Sequence, residues 1–357
     1  MKTYIIAEAG VNHNGSIELA RTLIDLAVES GANAVKFQTF KTENLVTKKA
    51  RQAHYQVENI GSETSQFDML KKLELSYSEF EQLKAYCDEK KIEFLSTPFD
   101  QESVDFLVDE IGVNLVKIPS GEITNTPFIH YIATKKKPII LSTGMATLED
   151  IHEALSFIAY GLAYPEEKVQ IKAVQEFYHT KIAKKLLKDY VSLLHCTTEY
   201  PTPYNDINLL AMDHLKNEFQ VNVGLSDHSE DIYVPVAAVA RGAKVIEKHF
   251  TISRFLPGPD HRASLEPDEL SELVKAIRII EQSLGDGYKK PTINEQNNKI
   301  AARKSLVATK PIQVGEIFTE ENLTIKRPGS GMGPSKYWSI IGTTASKCYE
   351  EDDLIDE

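Results

Sequence analysis

Two histidines, two lysines and a ring of hydroxyls and carboxylates are the residues here whose types and places could do chemistry. His228 and His249 each follow a short apolar run, and Lys36, Lys117, Ser142 and Ser226 sit within or at the end of others. Two neutral imidazoles with carboxylates and water nearby make a site for a divalent ion with open positions. Taken singly, each histidine is more often a hydrogen-bonded structural residue, and only the pair, on adjacent strands at the same depth, brings the metal reading level with that. A lysine serves phosphate as a point charge, and hydroxyls add directed hydrogen bonds. The plain alternative is two ordinary lysines on strand ends. A lysine inside an apolar strand pattern must nevertheless go somewhere, and a barrel mouth accepts it. A phosphorylated substrate beside a metal that polarises a carbonyl suggests carbon–carbon bond formation.

The elements that must position these groups are eight short apolar runs: Thr3–Ala9, Ala34–Gln38, Glu93–Ser96, Leu115–Ile118, Ile139–Ser142, Val191–His195, Val221–Leu225 and Lys244–Lys248. Amphipathic stretches lie between them, including Ile17–Ser30, Ser78–Lys90, Glu102–Glu110, Leu148–Ile158 and Tyr233–Arg241. The first has Ser16 as its N-cap and Gly31 as its stop. Strands rich in Val, Ile and Leu suit a parallel sheet covered on both faces. Eight strand–helix repeats over about 280 residues predict an α/β fold, a (β/α)8 TIM barrel, with an open doubly wound sheet as the alternative. The positional argument is stronger. Glu8, Lys36 with Gln38, Thr97, Lys117 with Ser120 and Glu122, Ser142, His195, Ser226 to His228, and Glu247 with His249 all fall where a strand runs out. In a barrel those places converge on one mouth.

The domain reading is a barrel over 1–283, a polar linker over 284–302, and a small mostly-β domain over 303–357. That last module has little core of its own and leans on the barrel or on another subunit. Ala163–Asp189 is a charged connection expected to carry an extra surface helix pair. Two glycine-rich stretches are decoys. Gly10–Ser16 lacks the lysine of a phosphate loop, and Gly329–Gly333 neither follows a first strand nor opens a helix. Cys196 at a strand end reads as packing.

Composition narrows the class. The 357 residues carry 40 Lys and Arg against 52 Asp and Glu, a formal charge of −12, which argues against a general nucleic-acid binder. With 42% hydrophobic and 26% charged residues the chain is a folded soluble protein. No apolar run approaches the roughly 18 residues of a spanning helix. No signal peptide is visible, and Cys87, Cys196 and Cys348 form no disulfide framework. The expected location is the cytoplasm.

Nine ordered motifs are recognisable. They are Ile6–Gly15, Val35–Thr39, Ser96–Phe99, Lys117–Glu122, Leu141–Met145, His195–Pro201, Gly224–His228, Glu247–Phe250 and Gly258–Asp260. Together they resemble the bacterial sialic acid synthase family. Lys326-Arg327-Pro328-Gly329 is similar to the signature of that family's C-terminal antifreeze-like (SAF) domain. The resemblance implies an enzyme that condenses phosphoenolpyruvate with an N-acetylated amino sugar and water, releasing phosphate and a nine-carbon 2-keto acid. It implies that His228 and His249 hold Mn2+, with Mg2+ or Co2+ as alternatives. Lys36, Lys117, Ser120, Ser142 and Ser226 would hold phosphoenolpyruvate. Glu8, Gln38, Tyr200 and Asp260 would contact the sugar. Glu122 would handle protons at the reacting carbons, with Lys36, Lys117 and Glu8 beside them. It further implies a domain-swapped homodimer in which Arg327 reaches the sugar's N-acetyl group on the partner.

The sugar stays open at this point. N-acetylmannosamine, giving N-acetylneuraminate, stands first, and 2,4-diacetamido-2,4,6-trideoxymannose, giving N,N'-diacetyllegionaminate, stands second. The Phe37–Phe40 and Thr198–Tyr200 versions occur with both. A pyruvate aldolase or lyase is a more distant reading that leaves the two lysines unused. A non-enzymatic carbohydrate- or ice-binding protein would leave the whole mouth unexplained.

Overall fold

The computed structural model describes residues 2–61 and 64–356. Eight parallel strands are present: β1 (Tyr4–Gly10), β2 (Ala34–Thr39), β3 (Glu93–Pro98), β4 (Val116–Ile118), β5 (Ile139–Ser142), β6 (Val191–Cys196), β7 (Asn222–Asp227) and β8 (Val245–His249). Each lies within one or two residues of its predicted run. They form one sheet in the order β3-β2-β1-β8-β7-β6-β5-β4. β3 also lies beside β4, so the sheet closes into a TIM barrel and the open doubly wound alternative fails. Glycine permits one tight seam. A Cβ on Gly224 of β7 would come 2.2 Å from the Val245 carbonyl oxygen and 2.8 Å from Leu194.

The helices follow from local signals. Helix Ile17–Ser30 starts where the Ser16 side chain accepts from the Leu19 N–H, and stops at Gly31 in the left-handed region (φ 78°). It buries Ala20, Leu23, Ile24 and Ala27, a single stripe at helical spacing. Between β2 and the helix Tyr77–Lys90 lie three short helices, Thr42–Leu45, His54–Ile60 and Gln66–Leu73. At four to eight residues each, they are too short for periodicity to mark. Met69 and Leu73 nonetheless seat this insertion on Val11 and Phe40 at the barrel rim. The segment Ala163–Asp189 does contain a helix pair, Ile171–Tyr178 and Lys181–Tyr190.

Inside the barrel, the period-two alternation of strands builds tiers. Ile6, Ala34, Leu95, Ile140, Leu194 and Val245 pack as an apolar plug, with Leu115 against it. Two residues further along the same strands come Glu8, Lys36, Thr97, Ser142, Cys196, Glu247 and Lys117. Ser226 stands two residues beyond Gly224 on β7. One step along each strand thus takes the interior from hydrocarbon to ionisable groups.

The chain divides into two compact units, Met1–Gly285 and Asp286–Glu357. The second has an antiparallel pair, β9 (Ser305–Ala308) and β10 (Leu323–Lys326). Its own small core includes Leu306, Ile312, Phe318, Tyr349 and Ile355. The stretch 284–302, read as linker, is corrected here: it holds the helix Ile293–Ala302 within the second unit. Thr292 and Glu295 form a capping box at its start. That signal was in the sequence, but the helix buries no residue, so no apolar stripe announced it. Among the described residues, no helix is long and apolar enough to cross a membrane.

Candidate active site

Lys36 is the best-held cation of the mouth. Its Nζ lies 2.7 Å from Glu8 Oε2 and 3.6 Å from Glu247 Oε2, and donates to Thr97 Oγ1 at 2.9 Å. Burial works against this charge, but Glu247 and Glu8 outweigh it and raise the pKa. Lys117 is less well served. Its ion-pair partner is Glu247, at 3.5 Å, and only 5% of the side chain is exposed. Burial therefore lowers its pKa, Glu247 offsets part of this, and repulsion from Lys36 adds to it. Glu247 itself accepts from Ser226 Oγ at 2.9 Å. Burial would raise its carboxyl, but Lys117 and Lys36 prevail and hold it at about 2. Glu8 goes the other way, pushed up to about 7 by burial and by Glu247 against the pull of Lys36.

Above this tier stand the imidazoles. The His228 and His249 ring centroids are 5.4 Å apart. A nitrogen about 2.1 Å from an ion leaves its ring centroid about 3.2 Å away, so two rings sharing an ion lie within about 6.4 Å. The pair passes that test. His228 Nδ1 donates to the Thr197 carbonyl at 2.7 Å, which leaves Nε2 with its lone pair. Burial pulls the His228 pKa down, but the neighbouring Cys196 thiol and the Thr197 carbonyl outweigh it and raise it. His249 is held well below the usual range by burial and by His228. Its Nδ1 is buried with no hydrogen-bond partner among the described residues. Gly10, in the left-handed region (φ 52°), keeps the space open. A Cβ there would lie 3.4 Å from both Glu8 and His249, and 3.5 Å from Gln38. The two imidazoles suit a divalent ion as two of its ligands, but among the described residues no group of three His, Cys, Asp or Glu is placed to hold one, so water or substrate would have to fill the other positions.

Tyr200 closes one flank. Its ring lies 4.0 Å from that of His228 and 5.6 Å from that of His249, centroid to centroid. Asp260 is buried, which raises its carboxyl to about 6 against the influence of His228. On the β4–β5 side, Ser120 Oγ accepts from the Gly144 N–H at 3.0 Å. The Ser142 and Thr198 hydroxyls are buried without partners among the described residues. Buried polar atoms rarely stay unpaired, and here they gather where a ligand would supply the partner. Glu122 lies in the turn after β4 and accepts from Asn125 at 2.7 Å. Arg327 belongs to the second unit, where its Nε donates to the Ala302 carbonyl at 3.1 Å.

The structure thus gathers Glu8, Lys36, Gln38, Lys117, Ser142, Tyr200, Ser226, His228, His249 and Asp260 at one mouth. Glu247 and Thr97, seen at strand ends but given no role, prove to hold both lysines between them. Cys196 faces the mouth too, its Sγ 3.9 Å from His228 Nδ1. Counting two residues on from the apolar plug would have found all three. A cavity of ≈ 770 Å³ lies elsewhere, lined by His152, Phe157, Tyr178, Leu187 and Phe219, and contains none of these groups.

A closed barrel whose mouth pairs buried lysines with two imidazoles defines a class of enzyme that handles an anion beside a metal. Residues 23–289 match the NeuB family and residues 303–356 the SAF domain. The chain belongs to the NeuB family, and its C-terminal part is a SAF domain. It is 49% identical to the N,N'-diacetyllegionaminic acid synthase of Campylobacter jejuni, over 100% of this chain and 99% of that protein. It is 45% identical to the protein of that name in Legionella pneumophila, over 97% and 91%. Among solved structures, the N-acetylneuraminic acid (sialic acid) synthetase of Leptospira borgpetersenii matches at 36% identity with a TM-score of 0.68, over 84% of this chain and 90% of that one.

Proposed function

We propose that this protein is a synthase that joins phosphoenolpyruvate, an N-acetylated amino sugar and water into a nine-carbon 2-keto acid, releasing phosphate. The observation that carries it is Lys117, a buried cation with too little anionic compensation, with the unpartnered hydroxyl of Ser142 on the neighbouring strand β5. Incoming phosphate would supply the charge and the acceptors that this corner lacks. Lys36, Lys117, Ser120, Ser142 and Ser226 would bind it. His228 and His249 would hold a divalent ion, Mn2+ in the first place, which when bound supplies Lewis-acid polarisation of a carbonyl. Glu8, Gln38, Tyr200 and Asp260 would orient the sugar aldehyde so that C3 of phosphoenolpyruvate attacks its C1. Water adds at C2 and the phosphate leaves by C–O cleavage. Glu8, and Glu122 as the family resemblance implies, would move protons. Glu8, with its pKa near neutrality, exchanges one most readily.

For the sugar, the order reached from sequence is reversed. The relatives at 49% and 45% are both named for N,N'-diacetyllegionaminic acid. We therefore place the 6-deoxy diacetamido sugar first and N-acetylmannosamine second. The family resemblance supports a homodimer in which Arg327 of one subunit serves the other's barrel. The test is to incubate the protein with phosphoenolpyruvate and Mn2+, offer the two sugars in parallel, and measure phosphate and product mass. Phosphate should appear only with sugar and metal together, and EDTA or His228→Ala should stop it. Turnover of free pyruvate in place of phosphoenolpyruvate would establish the aldolase reading instead.

A further inference from the structure

The insertion between β2 and β3 has no part in the chemistry described so far, yet one of its helices leans on the mouth. The Tyr55 ring stacks on Tyr200, centroids 5.0 Å apart and planes 29° apart. Tyr200 in turn rests on His228 at 4.0 Å. The charge of Asp260 acts on the Tyr55 hydroxyl, so the two are neighbours. From the last turn of the same helix, Asn59 Nδ2 donates to the Pro259 carbonyl at 2.7 Å, one residue before Asp260. The other side of that loop is tied to the turn after β1. Asn12 Nδ2 donates to Ser264 Oγ at 2.9 Å, and Ser264 Oγ donates to the Asp260 carbonyl at 2.7 Å. The Asp260 loop is therefore gripped from two directions, and Tyr55 arrives with one of the grips.

We propose that helix His54–Ile60 is a fixed cover of the sugar subsite, with Tyr55 a specificity-determining wall that contacts the sugar and not phosphoenolpyruvate. This rests on the synthase reading and deepens it. The ring stands on the Tyr200 and Asp260 flank, whereas the phosphate groups gather about Lys36, Lys117 and Ser142. An aromatic face suits the C–H face, acetamido methyls or 6-methyl of an amino sugar. It offers nothing to a phosphate, and Asp260 beside it repels one. The subsite thus takes a neutral N-acetylated sugar and rejects a sugar phosphate.

The experiment compares steady-state kinetics of the full chain, Tyr55→Ala, Tyr55→Phe and Asn59→Ala with Mn2+, varying each substrate in turn. Tyr55→Ala should raise the sugar KM by about tenfold while the phosphoenolpyruvate KM stays within about twofold. Tyr55→Phe, which keeps the ring, should restore the wild-type sugar KM. Asn59→Ala should raise it by a smaller factor, because the ring stays but its anchor goes. A sugar KM unmoved in Tyr55→Ala, or both KM values raised together, overturns the proposal while leaving the synthase intact. A wild-type chain that turns over neither sugar removes the synthase reading, and this proposal with it.

Discussion

Two buried lysines on the same barrel, Lys117 and Lys248, carry the same charge in opposite circumstances. Lys248 follows Glu247 on β8 and so faces away from the mouth. It is fully buried, with Asp227 Oδ2 at 2.6 Å, the Ser229 carbonyl as a further acceptor and Ser229 Oγ at 3.5 Å. Every demand of that ammonium is met within the protein. Lys117 has one carboxylate at 3.5 Å, shared with Lys36. Burying a charge is common to structural and functional positions. Leaving it short of partners is what marks a binding site, since the fold meets that cost only where a ligand repays it.

The sharpest way to break this comparison is to neutralise each lysine. Lys117→Met should lower kcat/KM by about 10³-fold, with little change in Tm, because Glu247 keeps Lys36. Lys248→Met should strand Asp227 without its counter-charge, costing about 3–5 kcal/mol and lowering Tm by about 10 °C. Calorimetry that found equal losses of Tm would end the distinction. Next in size is Arg327→Ala, expected to raise the sugar KM by about tenfold or more with the phosphoenolpyruvate KM unchanged. An unaltered sugar KM would argue against a crossed-over SAF domain.

Near neutral pH the smallest effect is that of two buried histidines on stability, which emerges only as acid is added and sharpens the same contrast. His13, on the loop after β1, and His261 are buried, and burial lowers each to about 4. The unfolded chain binds protons to them near pH 6.5 whereas the folded one does not. Both therefore add stability above that pH, which is lost as pH falls from about 6.5 towards 4. A shift of this size corresponds to roughly 3 kcal/mol for a fully buried ring. Denaturant titrations should show a shallower acid limb in His13→Gln than in the wild type. Parallel limbs would mean that His13 gains water before it gains a proton.

Much of the site was legible because strand periodicity is local. Once Ile6, Ala34, Ile140 and Val245 are taken as core, Glu8, Lys36, Ser142 and Glu247 must share their face two residues on. The same rule placed His249 above Glu247. Periodicity could not separate Asp227 from Ser226 in role, although they are adjacent and face opposite ways. It was silent about His54–Ile60, whose seven residues are too few for a stripe and whose contacts lie some 145 and 200 positions away, in Tyr200 and Pro259. It also misjudged 284–302, where a capping box without an apolar face read as linker.

The order of residues along this chain was enough to decide that eight strands alternate with helices and which side chains look into the barrel, because both depend on neighbours two to four positions apart. Which carboxylate answers which lysine was decided only on closure, when β8 came to lie between β1 and β7 and brought Glu247 within 4 Å of two cations from β2 and β4. Coulomb energies and desolvation depend on distances in space, and only the folded barrel sets those distances.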